Sequence, residues 1–360
     1  IVMFGALTWS VFVFLTPYGS TLAMMLFIRA MMGIGEGMSL PAIHSILAKW
    51  VPKKETGKAT GFVQAGIPVG IAITMPIATW IIQTWNWQMV FHTFAFLGPV
   101  WVVIWWKFGK DTPAQHSKVT NQELEYIHAD QGSQRHPNQN GGILTKKEIL
   151  STKSVWFCAL SYFCANYLFF LFMTWLPTYF VNGRGLNLQS SSLYSMLPYL
   201  VSIFTYPIGG YLADAASRKF GQNIGRKLFP IIGLSVAGIF LLLGSRATSV
   251  GAAVTLISAS NGFLTLTMGG FFTMPMVFSQ KNAGMITGVF TTLGTVAGIL
   301  APSVTGFIID ITGKYDFALY VGAFVAITGA VLLLTLCKVA PIEKVTDNEK
   351  SLLAIPDNVV

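Results

Sequence analysis

Long apolar blocks divide this sequence, and they restrict what the chain can fold into more than any other feature does. Each block holds about 20 residues, the length that a helix needs to cross roughly 30 Å of hydrocarbon. Backbone groups in hydrocarbon must be satisfied within the segment, so each block is expected to be a helix. The sequence lacks the alternating segments of about 10 residues that are typical of membrane β-barrels. It therefore predicts an all-α, polytopic membrane bundle.

The composition agrees with a chain that lies mostly in lipid. Of its 360 residues, 53% are hydrophobic and only 10% are charged, whereas soluble domains carry about 25% charged residues. The net charge of +9 is explained by basic loops that face an anionic membrane leaflet. We therefore expect the lipid bilayer as a partner and no nucleic acid.

Ten membrane-spanning helices are predicted, and a polar stretch at about 109–153 separates the first four from the last six. This division predicts an N-terminal half (1–108), a cytoplasmic central loop (109–154), a C-terminal half (155–338) and a cytoplasmic tail (339–360). The predicted spans are 2–19, 21–47, 58–83, 89–107, 155–180, 191–214, 228–245, 250–278, 283–309 and 317–338.

The basic residues predict the orientation of the chain. If residue 1 lies on the cytoplasmic side, only Arg184, Arg246 and Lys314 fall on the opposite side, and Arg29 lies within a span. All other Lys and Arg residues are then cytoplasmic, as the positive-inside rule requires. We expect an integral protein of a bacterial inner membrane, with the chain start and the C-terminus in the cytoplasm.

The sequence carries no motif that is typical of an enzyme. The cysteines Cys158, Cys164 and Cys337 all lie in predicted spans, without the spacing of a disulfide framework or a metal site. No His/Asp cluster, nucleophile–base pair or phosphate-binding loop is found. We therefore expect no enzyme activity, no metal and no cofactor.

Two full charges stand in the apolar stretch FIRAMMGIGEGMSLPA at residues 27–42. Arg29 and Glu36 are seven residues apart, about 20° short of two helical turns, so both side chains leave one helix face. Each charge at mid-membrane costs about 3 kcal/mol on insertion scales. One alternative is ion pairing with neighbouring helices. The other is a polar cavity in which Arg29 attracts an anion and Glu36 exchanges a proton.

Two glycine-rich segments suggest an internal repeat. TGFVQAGIPVGIAITMP (60–76) and TGVFTTLGTVAGILAP (287–302) each begin with Thr-Gly and end with Pro, and each follows a short basic loop. Parallel repeats in two halves are a transporter architecture. If the third and ninth predicted spans are equivalent, the bundle has six spans in each half. The sequence then lacks its first two helices, and we expect it to be incomplete because it begins without Met inside an apolar block.

These residues resemble a known family. The segment IRAMMGIGEGMSLPAIHSILAKWVPKKETGKATGF is similar to the fourth and fifth helices of the anion:cation symporter group within the major facilitator superfamily. That group includes bacterial sugar-acid transporters, sialin, and vesicular glutamate and phosphate carriers. FLFMTWLPTYFVNGRGL resembles the group's seventh helix, and GYLADAASRKFGQNIGRK resembles the gating loop after the eighth helix. The resemblance implies a bundle of twelve helices, of which helices 3 to 12 are present.

The resemblance also implies roles for particular residues. It places the anion at Arg29 and proton coupling at Glu36, and it places polar substrate ligands at Thr265 and Thr291. At Ile67 the sequence departs from the galactonate-type pattern, which has a glutamine there, and Gln64 is one turn earlier. We regard His44 as a polar cavity or interface residue. The substrate-binding candidates are Arg29, Gln64, Asn166, Tyr167, Thr265 and Thr291, with Asn261 and Thr267 as further polar candidates.

Charged residues after the eighth helix are candidates for a gate. Asp214 lies four residues before Arg218, and Lys219, Arg226 and Lys227 follow. The resemblance implies that Asp214, Arg218 and Lys219 lock the cytoplasmic side in one state. A plain basic loop is the alternative.

The sequence thus predicts a secondary transporter that carries a small organic anion, such as a sugar acid, together with a proton by alternating access. We expect a monomer with H⁺ as its coupling ion. The alternatives are uncoupled transport or exchange of phosphate or another anion, a membrane receptor or sensor, and a membrane-embedded enzyme.

Overall fold

The computed structural model describes residues 2–52, 56–132, 144–279 and 282–342, and regular structure within these ranges is helical. Short 3₁₀ turns lie at Thr16–Tyr18 and Pro113–Gln115, and a π-helical turn covers Tyr179–Gly183. The α-helices are α1 Val2–Leu15, α2 Leu22–Gly37, α3 Ser39–Trp50, α4 Thr56–Gln64, α5 Gly66–Thr84, α6 Trp87–Ala95, α7 Leu97–Phe108, α8 Asn121–Gly132, α9 Lys146–Ser151, α10 Lys153–Thr178, α11 Leu188–Arg246, α12 Val250–Leu266, α13 Met268–Phe271, α14 Met274–Phe278, α15 Ala283–Thr312 and α16 Tyr315–Thr335.

Seven helical stretches in the described ranges are long and apolar enough to cross a membrane. Leu188–Arg246 covers two of the predicted spans, and the first predicted span corresponds to the shorter apolar helix Val2–Tyr18. The second predicted span is divided between α2 and α3. The prediction of an all-α polytopic membrane bundle is confirmed. The seven stretches are Ala59–Thr84, Trp87–Phe108, Lys153–Gly183, Leu188–Arg246, Val250–Phe278, Ala283–Thr312 and Tyr315–Thr335.

The chain divides by contacts into two units. Unit 1 comprises Ile1–Gln134 and Phe180–Ile203, and unit 2 comprises Arg135–Tyr179 and Phe204–Val360. The halves predicted from the polar central stretch have different boundaries and stay a prediction.

Small residues allow α1 to pack closely in unit 1. A methyl group on Gly5 would lie 2.8 Å from the carbonyl oxygen of Gly35 on α2, so these two helices meet backbone to backbone. Gly98 on α7 leaves room for the side chain of Ser10 on α1. Such contacts are the usual basis of helix association in membranes.

Among the candidate spans of the described residues, the one that contains α10 has the largest buried share, and α15 and α16 pack against it. The Ser161 hydroxyl donates a hydrogen bond to the carbonyl of Gly329 on α16 at 2.8 Å. Gly294 on α15 lies against the buried ring of Tyr162. These contacts connect three spans that are far apart in sequence.

Prolines explain where several spans are interrupted. The α2, α4, α6 and α13 helices each end four residues before a proline. Proline has no N–H to donate to the carbonyl four residues earlier, and its ring clashes with that carbonyl. The predicted spans 21–47, 58–83, 89–107 and 250–278 therefore each consist of more than one helical piece. The prolines are Pro41, Pro68, Pro99 and Pro275.

A single glycine turns the chain within α11. Gly221 has φ 78° and ψ 165°, a backbone conformation that is open mainly to glycine. The turn brings Gly225 against the backbone of Ser217. It joins the spans predicted at 191–214 and 228–245.

The crossing of α11 and α13 is the basis for a prediction about stability. A methyl group on Gly269 would overlap the backbone of Gly209 and Gly210, whereas one on Gly251 would meet open space. Gly269→Ala should therefore cost about 1–3 kcal/mol through overpacking. Gly251→Ala is the matched control and should be neutral. Thermal unfolding of both purified variants measures the difference, and equal midpoints would contradict the close crossing.

Candidate functional site

The α2 helix places Arg29 and Glu36 on one exposed face. Ile28 and Gly35, also seven residues apart, form the buried stripe of the same helix and are displaced by about 100° from the charges. Gly35 packs on α1, while Gly33 faces open space. Close packing against α1 therefore uses one side of α2 and leaves the charged side uncovered.

Neither charge of α2 has an ion-pair partner within the described part of the chain. The guanidinium Nη1 of Arg29 lies 4.0 Å from the sulfur of Met32, one turn away. Glu36 is exposed and precedes the break between α2 and α3. The alternative that ion pairs tie this helix to its neighbours therefore has no support among the described residues. The side chain of His44 lies outside the described residues.

Gln64 is the last residue of α4, at the break that Pro68 causes. Its side chain is buried, at 6% exposure, whereas Ile67 is exposed. Both belong to unit 1, as do Arg29 and Glu36.

In unit 2, α10 carries two of the predicted residues. The Asn166 side chain donates a hydrogen bond from Nδ2 to the carbonyl of Tyr162 at 2.9 Å. The hydroxyls of Tyr167 and of Thr305 on α15 are both buried, and they lie close enough to interact with each other. Thr305 lines a small cavity together with Trp175.

The threonines predicted on α12 and α15 are hydrogen-bonded. The Thr265 hydroxyl lies 2.6 Å from that of Thr205 on α11, and it is 3.0 Å from the carbonyl of Asn261. Asn261 and Thr267 are both buried. The hydroxyl of Thr291 donates to the carbonyl of Thr287 at 3.0 Å, within its own helix.

The acidic residue of the predicted gate forms an ion pair within unit 2. Asp214 Oδ1 accepts a hydrogen bond from Arg226 Nη1 at 2.6 Å, and both side chains are largely covered, with 25% and 13% exposure. Arg226 also donates from Nε to Gln222 at 3.1 Å. Arg218 and Lys219 are exposed. Among the described residues, the structure thus brings Asp214 together with Arg226.

Sequence reasoning missed three partners for different reasons. Arg226 was one of several basic residues after Asp214, and only the Gly221 turn identifies it as the partner. Thr205 lies 60 residues before Thr265, and no local pattern connects them. Thr305 is one of six threonines in α15, and nothing in the sequence distinguishes it from the others as a neighbour of Tyr167.

These features define an integral membrane protein whose helical bundle carries buried polar groups and an uncovered pair of charges. A family model described as Major Facilitator Superfamily matches residues 1–302. The chain belongs to the major facilitator superfamily.

Curated relatives are anion transporters by name. Probable anion transporter 4, chloroplastic, of Oryza sativa subsp. japonica is 30% identical over 91% of this chain and 55% of the relative. Sodium-dependent phosphate transport protein 1, chloroplastic, of Arabidopsis thaliana is 30% identical over 89% of this chain and 63% of its own length. The hexuronate transporter of Bacillus subtilis is 29% identical over 89% of this chain and 74% of its own length. The chain thus spans less than two thirds of the two chloroplast relatives, and its resemblance to anion transporters of the superfamily is confirmed.

A solved structure supports the fold. A bacterial homolog to the human lysosomal transporter Spinster, in an inward-facing and occupied conformation, matches with a TM-score of 0.63. The match covers 92% of this chain and 79% of the other, at 15% identity. At that identity the similarity concerns the fold alone.

The Asp214–Arg226 pair leads to a second prediction. Asp214→Asn removes a charge-assisted hydrogen bond, which is worth about 1.5–3 kcal/mol, and should lower the thermal unfolding midpoint. Arg218→Gln is the control at an exposed position and should change the midpoint little. The exchange Asp214→Arg with Arg226→Asp should recover part of the loss. A wild-type midpoint for Asp214→Asn would show that the pair contributes nothing to stability.

Proposed function

We propose that this chain forms part of a secondary transporter that carries a small organic anion across a membrane, together with a proton, by alternating access. The observation that carries this proposal is the exposed Arg29–Glu36 face of α2 in an otherwise apolar helix. Arg29 holds the anion, and Glu36 exchanges the proton. Superfamily membership and the names of the relatives support the class of activity.

The energetics of membrane charges support a functional role for this face. A charge that faces lipid costs about 3 kcal/mol, so two uncovered charges on one helix would destabilise a purely structural span. A water-filled space or a bound anion removes most of that cost. Intramembrane charges are accordingly found where substrates and ions pass. The planar guanidinium of Arg29 also matches a carboxylate with two parallel hydrogen bonds.

A carboxylate substrate is favoured by the relatives' names and by the polar candidates. Hexuronate, in the name of the Bacillus subtilis relative, is a sugar acid with a carboxylate, and the ascorbate transporter is named for another small organic anion. Gln64, Asn166, Tyr167, Thr265 and Thr291 offer amide and hydroxyl groups suited to such a solute. The proposal includes H⁺ as the coupling ion, no other cofactor, and a monomer.

Arg29 generates a third prediction. Arg29→Ala should lower affinity for the anion at least about tenfold, because a hydrogen bond to a charged group is worth about 1.5–3 kcal/mol. Arg29→Lys keeps the charge without the planar fork and should bind weakly. Thermal shift of the purified protein against hexuronates, sulfonates and phosphate provides the measurement, with Lys314→Ala as an exposed-charge control. If folded Arg29→Ala protein bound the anion with wild-type affinity, Arg29 would not be part of the anion site.

Glu36 generates a fourth prediction, which separates coupling from binding. Glu36→Gln is permanently neutral, so it should still exchange substrate across proteoliposome membranes in counterflow. It should fail to accumulate substrate against a gradient, because it releases no proton on the inner side. Uphill uptake at the wild-type level, driven by an imposed pH gradient, would remove Glu36 from coupling. Arg29→Ala serves as the contrast, since it should lose both activities.

Charge distribution supports a proposed orientation and gate. With the basic loops inside, as the positive-inside rule requires, the chain start and tail are cytoplasmic, and we assign the protein to a bacterial inner membrane. The Asp214–Arg226 pair then lies at the cytoplasmic end of the spans around Gly221, where Arg218 and Lys219 are also found. In this proposal these charges stabilise a closed cytoplasmic side.

A second candidate is transport of inorganic phosphate, coupled to sodium or by exchange. The relative described as a sodium-dependent phosphate transport protein favours it. Uptake driven separately by a pH gradient and by a sodium gradient distinguishes the two. Phosphate uptake that needs sodium and ignores the pH gradient would replace the leading proposal.

A further inference from the structure

The segment between Leu144 and Trp156, here called the loop platform, is hydrogen-bonded to the start of α15 within unit 2. The backbone N–H of Leu144 donates to Oδ1 of Asn282 at 3.1 Å, and Nδ2 of Asn282 donates to the carbonyl of Leu144 at 3.2 Å. This two-way clamp joins the platform to the residue that precedes α15. The side chain of Leu144 is buried, at 6% exposure.

The short helix α9 gives the platform a fixed shape. Thr145 and Glu148 form a capping box, in which the Thr145 side chain accepts from the Glu148 N–H and the Glu148 carboxylate accepts from the Thr145 N–H. Ile149 is completely buried, so its side chain packs α9 against the protein interior. The Glu148 carboxylate accepts hydrogen bonds from the backbone N–H and the hydroxyl of Thr145, so it points toward the start of α9.

The platform continues directly into a membrane span. The indole Nε1 of Trp156 donates to the carbonyl of Leu150 at 2.7 Å, which fixes the end of α9 to the first turn of α10. The candidate span begins at Lys153. Trp156 is 42% exposed within that first turn, and tryptophan is typical of the level of lipid headgroups. The platform therefore lies at the boundary between the membrane and water.

The outer face of the platform combines cations with apolar surface. Lys146, Lys147 and Lys153 are all exposed. Leu150 is 43% exposed beside them, although it is apolar. A site for a soluble anion would gain nothing from the exposed apolar side chains of Leu150 and Trp156. A lipid surface uses both parts, because headgroups meet the cations while the apolar side chains enter the acyl boundary.

We propose that the loop platform binds the headgroups of anionic phospholipids in the leaflet that α10 enters. Clusters of Lys next to a span are attracted to such lipids. The backbone that carries the three ammonium groups is already held by the Leu144–Asn282 clamp and the capping box, so headgroup binding does not have to order it. This proposal uses neither Arg29 nor Glu36, and it stands whether or not the transport proposal is correct.

The experiment uses the full protein in nanodiscs that contain phosphatidylcholine with about a quarter phosphatidylglycerol. Native mass spectrometry counts the phosphatidylglycerol molecules that remain bound. Lys146→Gln with Lys147→Gln should weaken retention by about fivefold for each lysine, which is about 1 kcal/mol each. Lys110→Gln with Lys118→Gln removes two charges elsewhere in the polar central stretch and is the matched control.

An Arg variant and a high-salt measurement distinguish loss of lipid binding from misfolding and test whether the binding is electrostatic. Lys146→Arg with Lys147→Arg keeps both charges and should retain phosphatidylglycerol, which separates loss of binding from misfolding. Raising the salt to about 1 M, where the Debye length is about 3 Å, should abolish the difference between the wild type and the Gln variant. Equal retention in wild type and platform variant would overturn the proposal. An equal loss in the control would do the same, and so would displacement of the lipid by millimolar inorganic phosphate.

Discussion

The need to satisfy every backbone hydrogen bond inside hydrocarbon determines most of what this chain does. It forces the apolar blocks into helices, and it gives consequences to the four prolines that follow a helix end within a span. Pro41 and Pro68 deprive the carbonyls of Gly37 and Gln64 of their usual donor. Two of the proposed site residues, Glu36 and Gln64, lie at or beside these positions. Interrupted helices that line a cavity are a recurring way for transporters to expose polar backbone.

The fold was predictable from the sequence because it depends on one-dimensional signals. Block length predicts the spans, and a separation of seven residues places Arg29 and Glu36 on one face without knowledge of any neighbour. The prolines at the helix breaks are visible in the sequence, but Pro76, Pro177 and Pro302 lie inside continuous helices, so a proline alone does not identify a break. The family resemblance added roles that the residues alone left open.

Pairings between segments were not predictable in the same way. The choice of Arg226 over Arg218 as the partner of Asp214 depends on a positive φ at Gly221 that reverses the chain. The contact of Thr265 with Thr205 depends on how two helices cross. Such hydroxyls and that of Thr291 already bond to neighbouring groups, so a substrate must compete with those bonds. The charges of α2 face no such competition among the described residues.

The turn at Gly221 also has a mechanical consequence. Two spans of α11 are joined through one non-helical residue, with helix on either side of it. A joint this short contains no spare chain length, so the end of one span cannot move along its axis without pulling the other with it. The same residue still permits rotation, because its backbone angles are the soft coordinates of the connection. The connection at Gly221 thus couples movement of the two spans along their axes, while it allows the angle between them to change.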